Sequence, residues 1–430
     1  MTTQTSPRLH IAISLLFLLT DTQSGIAQSP SASELAAVNA NANDSNWTGF
    51  RGSAGNSISM ASRLPLSWSD AQVLWRATDG TIGQSSPVIW NNTVFVTSID
   101  GPMKETLWVT ALNLHDGTQH WRRSFQAAEQ HEFNEYVAKA APTPAVDHER
   151  LYTFFASGDL RSLDHLGNTV WHRNLSNEYG SFSGNHGVGS SLLLTPDAVV
   201  VFLARSSYSY LLAVDRDTGR TLWKSDRQAG VAWSTPALSP DGREIIVSAS
   251  GQVEGFDIET GQQLWTFEGL SGNNVASPTV TENLVITGGL GVEANLAIKR
   301  DRSGTLDRSD IAWRASSTSN FASPFLYQHC VYWVNPAGAA RCINPDTGET
   351  RWVHRLPGSI WATPLGHKDY VYFFTVNGTT QVLRASPEAV EVVSTNHLSV
   401  DGPVTGYAVS EDAIVIRAGR EIIRLSSPRD

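Results

Sequence analysis

The chain alternates short β-branched or aromatic runs with turn residues, and it keeps doing so at a regular interval. TVFVTS, LYTFFAS, VVVFLA, EIIVSAS, LVITGG, CVYWVN, YVYFFTV and AIVIRA each span only a few residues. Apolar alternation over so short a length, bounded by Gly, Pro, Asn and Asp, predicts strands rather than helices. About seven residues before each run stands a small-small-Pro opener or its equivalent. These are Ser85-Ser86-Pro87, Thr143-Pro144, Ser190-Ser191-Leu192, Ser234-Thr235-Pro236, Ala276-Ser277-Pro278, Ala322-Ser323-Pro324, Ala362-Thr363-Pro364 and Thr405-Gly406-Tyr407.

After each apolar run comes a second signal. Ala213 to Trp223 reads AVDRDTGRTLW: a strand end, a turn, and a strand holding a tryptophan. Asp215 is placed to accept from turn amides, and Gly219 supplies a positive-φ position. GFDIETGQQLW (255–265), CINPDTGETRW (342–352), ALNLHDGTQHW (111–121) and the shorter SLDHLGNTVW (162–171) repeat that frame. Between Ala297 and Trp313 the turn has grown into RDRSGTLDRSD, and Lys299 to Asp310 is expected to be a solvated hairpin tip. Trp75, Trp121, Trp171, Trp223, Trp265, Trp313 and Trp352 are separated by 39 to 52 residues. That period, with strands this short, predicts a repeat array whose sheets must stack to bury their faces. The seven indoles are assigned to packing between sheets, each worth up to about 4–6 kcal/mol.

Each unit therefore reads as four strands: opener, apolar strand, Asp-turn strand and tryptophan strand. In Val390 to Val393, valine takes the tryptophan place. The last unit, from Thr405 to Leu425, has three strands, while Val73 to Ala77 has no unit of its own. The two remnants complete one another. The expected fold is an all-β, eight-bladed propeller over residues 46–430, closed by an N-terminal strand in the last blade, which leaves no open sheet edge.

Composition changes the picture at the N-terminus. Arg8, the apolar run Ile11 to Leu19 and the small residues Gly25-Ile26-Ala27 form a signal-peptide pattern over residues 1–27. No run is long enough to span a bilayer as a helix, and no cysteine follows the apolar run to carry a lipid anchor. An exported protein, periplasmic or secreted, is expected. Residues 28–45 are small and polar, a flexible leader, and Trp47, Phe50 and Arg51 then begin an ordered extension. The net charge of −10, without a basic run, argues against nucleic-acid binding. Cys330 and Cys342 flank one hairpin; a cross-strand disulfide and two buried thiols are both open.

Chemistry is sparse. His131-Glu132-Phe133-Asn134-Glu135 has Glu135 where a zinc-protease helix needs its second histidine. The Gly-rich stretch Ser183 to Gly189 precedes a strand, which removes the phosphate-cradle reading. No G-x-S-x-G elbow occurs, and no metal site is expected. The remaining candidates come from ring geometry. Openers are innermost strands, so Gln84, Trp233, Phe321 and Trp361, with Asn274, Asn320 and His186, are expected at the channel mouth. Aromatics beside amides there suit a peptide or a flat, sugar-like ligand; packing against neighbouring loops is the alternative.

The A-x-D-x-x-T-G-x-x-x-W frame resembles the docking motif of quinoprotein-type propellers, the PQQ-like repeats. That resemblance covers residues 46–430 and implies eight blades. Trp47-x-x-Phe50-Arg51-Gly52 is similar to exported members that carry the repeats without a second domain. Catalytic members of the family carry vicinal cysteines beside the quinone, whereas Cys330 and Cys342 are twelve apart. The resemblance is therefore to the non-catalytic branch, which includes the propeller of the outer-membrane β-barrel assembly machinery. It implies a protein- or peptide-binding scaffold working through its face loops, without a cofactor. The alternatives are a dehydrogenase of alcohols or sugars using pyrroloquinoline quinone with calcium, and a carbohydrate-binding propeller.

Overall fold

The computed structural model describes residues 1–2, 46–78, 80–130, 132, 140–182, 186–272, 274–319 and 321–426. The signal-peptide pattern, the 28–45 leader, Asn320 and most of the 131–135 motif lie outside the described residues.

Eight antiparallel meanders follow one another along the chain. We number the blades from the strand Val88–Trp90, so that they cover 88–126, 145–174, 193–227, 237–268, 279–314, 325–355, 365–397 and 404–426. Within a blade the opener strand is innermost, and the next three strands pair outward in chain order. Blade 8 takes its outer strand from the N-terminus. Val73–Thr78 pairs with Glu421–Ser426, with Trp75 opposite Arg424 and Thr78 opposite Glu421. The fold is thus an all-β, eight-bladed propeller closed by its own first strand.

Its apolar interior is divided between neighbouring sheets rather than gathered in one core. Val199, Val201 and Leu212 of blade 3, for example, pack on Tyr152, Phe154 and Leu160 of blade 2. The same arrangement recurs between blades 3 and 4, 4 and 5, 5 and 6, and 6 and 7. Single blades cannot bury their faces alone, so the ring order is enforced by burial.

The Asp-turn frame explains how blades lock. In blade 3 the Asp215 carboxylate accepts from the Thr218 backbone N–H at 2.7 Å and from its hydroxyl at 2.6 Å. This leaves Gly219 at φ +73, and a Cβ there would lie 2.8 Å from the Trp171 ring of blade 2. The same indole donates from Nε1 to the Arg216 carbonyl at 2.8 Å. Trp75, Trp121, Trp223, Trp313 and Trp352 likewise donate to a turn carbonyl of the following blade, at 2.7–3.1 Å. One residue fills two roles, as ring and as donor, so the tryptophan of each unit reads the turn of the next.

Trp265 departs from this. Its indole points to Glu244 of its own blade instead, because the turn it would meet in blade 5 is the enlarged one. That turn is exposed along most of its length, as expected, but it is more than a hairpin tip: Gly304–Leu306 folds back as a fifth, parallel strand on Gln263–Glu268 of blade 4, with Gly304 opposite Trp265. Leu306 is buried there, so an apolar residue inside a charged stretch pulled the loop onto the sheet.

Blade 7 carries a second correction. Ladder register puts Ser394, opposite Val382, in the tryptophan place, and not a valine of 390–393. The missing ring comes from elsewhere in the chain. Trp68 is buried, and it stacks on Tyr372 at 6.3 Å and 12°. Tyr372 holds the position of Tyr152 and Tyr332, which meet Trp171 and Trp352 at 6.1 and 5.9 Å. The side chain of Asn396 clamps the segment, accepting from the Trp68 N–H at 3.0 Å and donating to the Leu66 carbonyl at 3.0 Å.

Cys330 and Cys342 are bonded as a disulfide inside blade 6, with Cα atoms 5.3 Å apart. The strand partner of Cys342 is Tyr332, so the bonded pair sits two residues out of register.

Candidate binding face

Chain direction gives the ring two unlike ends. Connections from each outer strand to the next inner strand lie on one face, and the Asp-turns lie on the other. The openers meet in the middle. Their central residues form a chain of hydrogen bonds from blade to blade, each backbone N–H donating to the next opener's hydroxyl. The links are Ser86 to Thr143 (3.1 Å), Thr143 to Ser191 (3.0 Å), Ser191 to Thr235 (3.0 Å), Thr235 to Ser277 (2.9 Å) and Ser277 to Ser323 (3.0 Å). Where the ring closes, Gly406 faces Ser86, and a Cβ at Gly406 would come within 2.1 Å of the Ser86 hydroxyl. Buried N–H groups need acceptors; this is why the small residue at the centre of most openers is Ser or Thr.

On the connection face the sequence candidates separate into two aromatic pairs and two polar residues. His186, exposed and at φ +64, meets the half-buried Trp233 edge-on at 5.8 Å and 63°. The Gly187 carbonyl accepts from Trp233 Nε1 at 3.0 Å and from Arg205 Nη1 at 2.9 Å, and Arg205 Nη2 holds the Phe182 carbonyl at 3.1 Å. Burial lowers the Arg205 pKa, with Tyr208 and Glu129 opposing it. Arg205 was not signalled by any motif, yet it fixes the loop that carries His186.

The second pair is Phe321, 40% exposed, against Trp361 at 5.1 Å and 48°. Nearby chain adds Leu290 and Val292, both exposed, on a loop tied to this one by Ser319 N–H donating to the Gly289 carbonyl at 3.2 Å. Gln84 is half-buried beside Gly83, which packs on Arg417. Asn274 is fully buried: its side-chain amide donates to Ser248 Oγ at 2.8 Å and to the Ala249 carbonyl at 2.9 Å, and its backbone carbonyl accepts from the Trp233 backbone N–H at 2.9 Å. It holds the Trp233 backbone in place from inside the ring.

The opposite end of the channel is filled by the chain itself. Trp47 pairs with Ile89 of blade 1, Thr48 accepts from Val146 of blade 2, and Ser57 and Ser59 bracket Gly366 of blade 7. Arg51 reaches Pro278 and Thr279 of blade 5. Contacts on opposite sides of a ring require the segment to cross its centre. Asn46 also accepts from Asn91 N–H, on the Asp-turn side, at 2.7 Å, which places the crossing at that end. The sequence marked Trp47, Phe50 and Arg51 as an ordered extension without indicating where it docks.

Among the described residues no three His, Cys, Asp or Glu side chains converge as a metal site. The cysteines are bonded to each other in blade 6, within the apolar layer facing blade 7. No helix among the described residues is long and apolar enough to cross a membrane.

Known proteins resemble this architecture at several levels. The family model PQQ_2, outer membrane protein assembly factor BamB, matches residues 31–191 and 207–421. The curated outer membrane protein assembly factor BamB of Kangiella koreensis is 25% identical over 143 residues, 32% of this chain. That match spans only 34% of the relative's length. The crystal structure of BamB from Moraxella catarrhalis superposes with a TM-score of 0.58 at 16% identity, covering 83% of this chain and 99% of that one. Quinohemoprotein alcohol dehydrogenase from Comamonas testosteroni gives 0.64 at 11% identity, covering 93% and 85%. At such identities the solved structures speak for the fold alone, whereas the family model runs through nearly every blade. The chain belongs to the PQQ-like repeat family of outer membrane protein assembly factor BamB.

Proposed function

We propose that this chain is an exported, non-enzymatic propeller scaffold, periplasmic or secreted, that binds a protein or peptide through loops of its connection face. Membership of the BamB-type repeat family carries the reading. The exposed Phe321, Leu290 and Val292 support it, since apolar side chains grouped on rim loops suit a partner's apolar anchor. Quinone-dependent oxidation has the weaker support, because the enzymes it would resemble share only the fold with this chain.

The test is site-specific photocrosslinking from position 321 in the native compartment, followed by binding of the purified partner. A single partner whose affinity falls at least tenfold with Phe321→Ser and Trp361→Ala is expected. Turnover of an alcohol or sugar by purified protein supplied with pyrroloquinoline quinone, calcium and an electron acceptor would overturn the scaffold reading. Glycan affinity lost in Trp233→Ala would favour carbohydrate binding instead.

A further inference from the structure

The crossing segment borders a partly open chamber of about 160 Å³ against the inner strands of blades 2 to 5. Among the described residues, Arg51 is the only ionisable one lining it. The residue is 6% exposed, and its backbone is held at φ +63. Its guanidinium donates from Nη1 to the Pro278 carbonyl at 3.3 Å and from Nη2 to Thr279 Oγ1 at 3.1 Å. A guanidinium has five N–H donors; with two used, three lack an acceptor among the described residues, including the buried Nε. No carboxylate among the described residues pairs with it. Burial lowers its pKa to about 10, against the opposing effect of Tyr407, so it remains a cation at neutral pH.

Holding the segment in place would need only the two hydrogen bonds already made. An unpaired buried cation costs several kcal/mol even after relaxation, so a purely mechanical anchor would be better made by an apolar side chain. We propose that the chamber binds a carboxylate, with Arg51 as its counter-ion. One positive charge among neutral walls matches a monoanion, since a phosphate dianion would bring a second, uncompensated charge into the interior. A guanidinium carries parallel N–H donors, the geometry that a two-oxygen carboxylate accepts. A small organic acid and the C-terminal carboxylate of a peptide share this chemistry. The proposal stands apart from the rim, which lies at the other end of the channel.

The experiment is titration of the purified full chain with 13C-labelled acetate, followed by NMR line broadening, at constant ionic strength. Saturable binding is expected, at least tenfold weaker in Arg51→Lys, which keeps the charge without the fork, and lost in Arg51→Met. Phosphate is expected to compete less well than acetate. A tripeptide with a free C-terminus, compared with its amidated form, separates the two sources: binding of the free form above acetate assigns a chain end, and acetate alone assigns a small acid. No saturable acetate binding, binding unchanged in Arg51→Lys, or preference for phosphate would overturn the proposal. Should Arg51→Met fail to fold, wild type and Arg51→Lys decide it.

Discussion

Trp68 lies on Tyr372 in near-parallel stacking, rings 6.3 Å apart at 12°, although the tryptophan is no part of the blade it completes. Blade 7 has Ser394 where its neighbours have an indole, and the segment before the first strand supplies the ring instead. The N-terminal segment is therefore structural twice over: it closes blade 8 by pairing and blade 7 by packing.

Trp68→Ala should cost about 3–5 kcal/mol, as for other buried tryptophans. Urea denaturation measures it. A loss below about 1 kcal/mol would show that blade 7 does not depend on the borrowed ring.

Glycine substitutions separate backbone strain from blade docking. Gly80 (φ +78) has open space around its Cβ position, whereas a Cβ on Gly219 (φ +73) would strike Trp171. Gly80→Ala should cost about 1 kcal/mol for the left-handed backbone alone. Gly219→Ala should cost at least about 1 kcal/mol more, because the indole must move. Equal losses would mean that the turn does not seat the ring.

The opener ring makes its own forecast. Thr235→Val removes the acceptor of the Ser191 N–H while keeping shape. A loss of about 1–3 kcal/mol is expected from the orphaned buried donor. Hydrogen exchange at Ser191 should accelerate more than exchange at Val200, which lies in the same blade outside the ring.

Asp159 predicts an acid limb. Burial alone would raise its pKa, but hydrogen bonds from His172, Ala128 and Ser157, with the charge of Arg161, outweigh burial and bring it below 3.8. A carboxylate depressed on folding contributes stability that is present above its unfolded pKa and lost as pH falls through the folded value. Stability should therefore drop below about pH 4, and Asp159→Asn should flatten that drop. An unchanged acid limb in the variant would exclude Asp159 as its source.

The disulfide is tested by counting thiols. Denatured, unreduced protein should show none, and reduction should lower stability by about 2–3 kcal/mol for a loop of this size. Two free thiols would rule the bond out.

Much of this molecule was legible from spacing. The eight openers determined the blade number, the recurring Asp, Gly and Trp of the turn frame determined the strand order, and the leftover strand expected over Val73 to Ala77 closes the ring as Val73–Thr78. The failures were equally physical. The tryptophan place of blade 7 was assigned to the valines of 390–393 because the turn there is longer: Val382 pairs with Ser394, twelve residues on, whereas Ala213 pairs with Trp223, ten residues on. Leu306 was read with its charged neighbours because parallel pairing to blade 4 joins residues about forty apart.

What the sequence by itself determined is the repeat: which residues turn, which wedge, and how many times. Only the tertiary structure decided where residues 46–72 go, that Trp68 completes a distant blade, and that Arg51 ends buried in the channel with no carboxylate beside it among the described residues. Periodic patterns report contacts between adjacent units. A segment that crosses the ring once has no period, and its partners are set by the space that eight packed sheets leave at their centre.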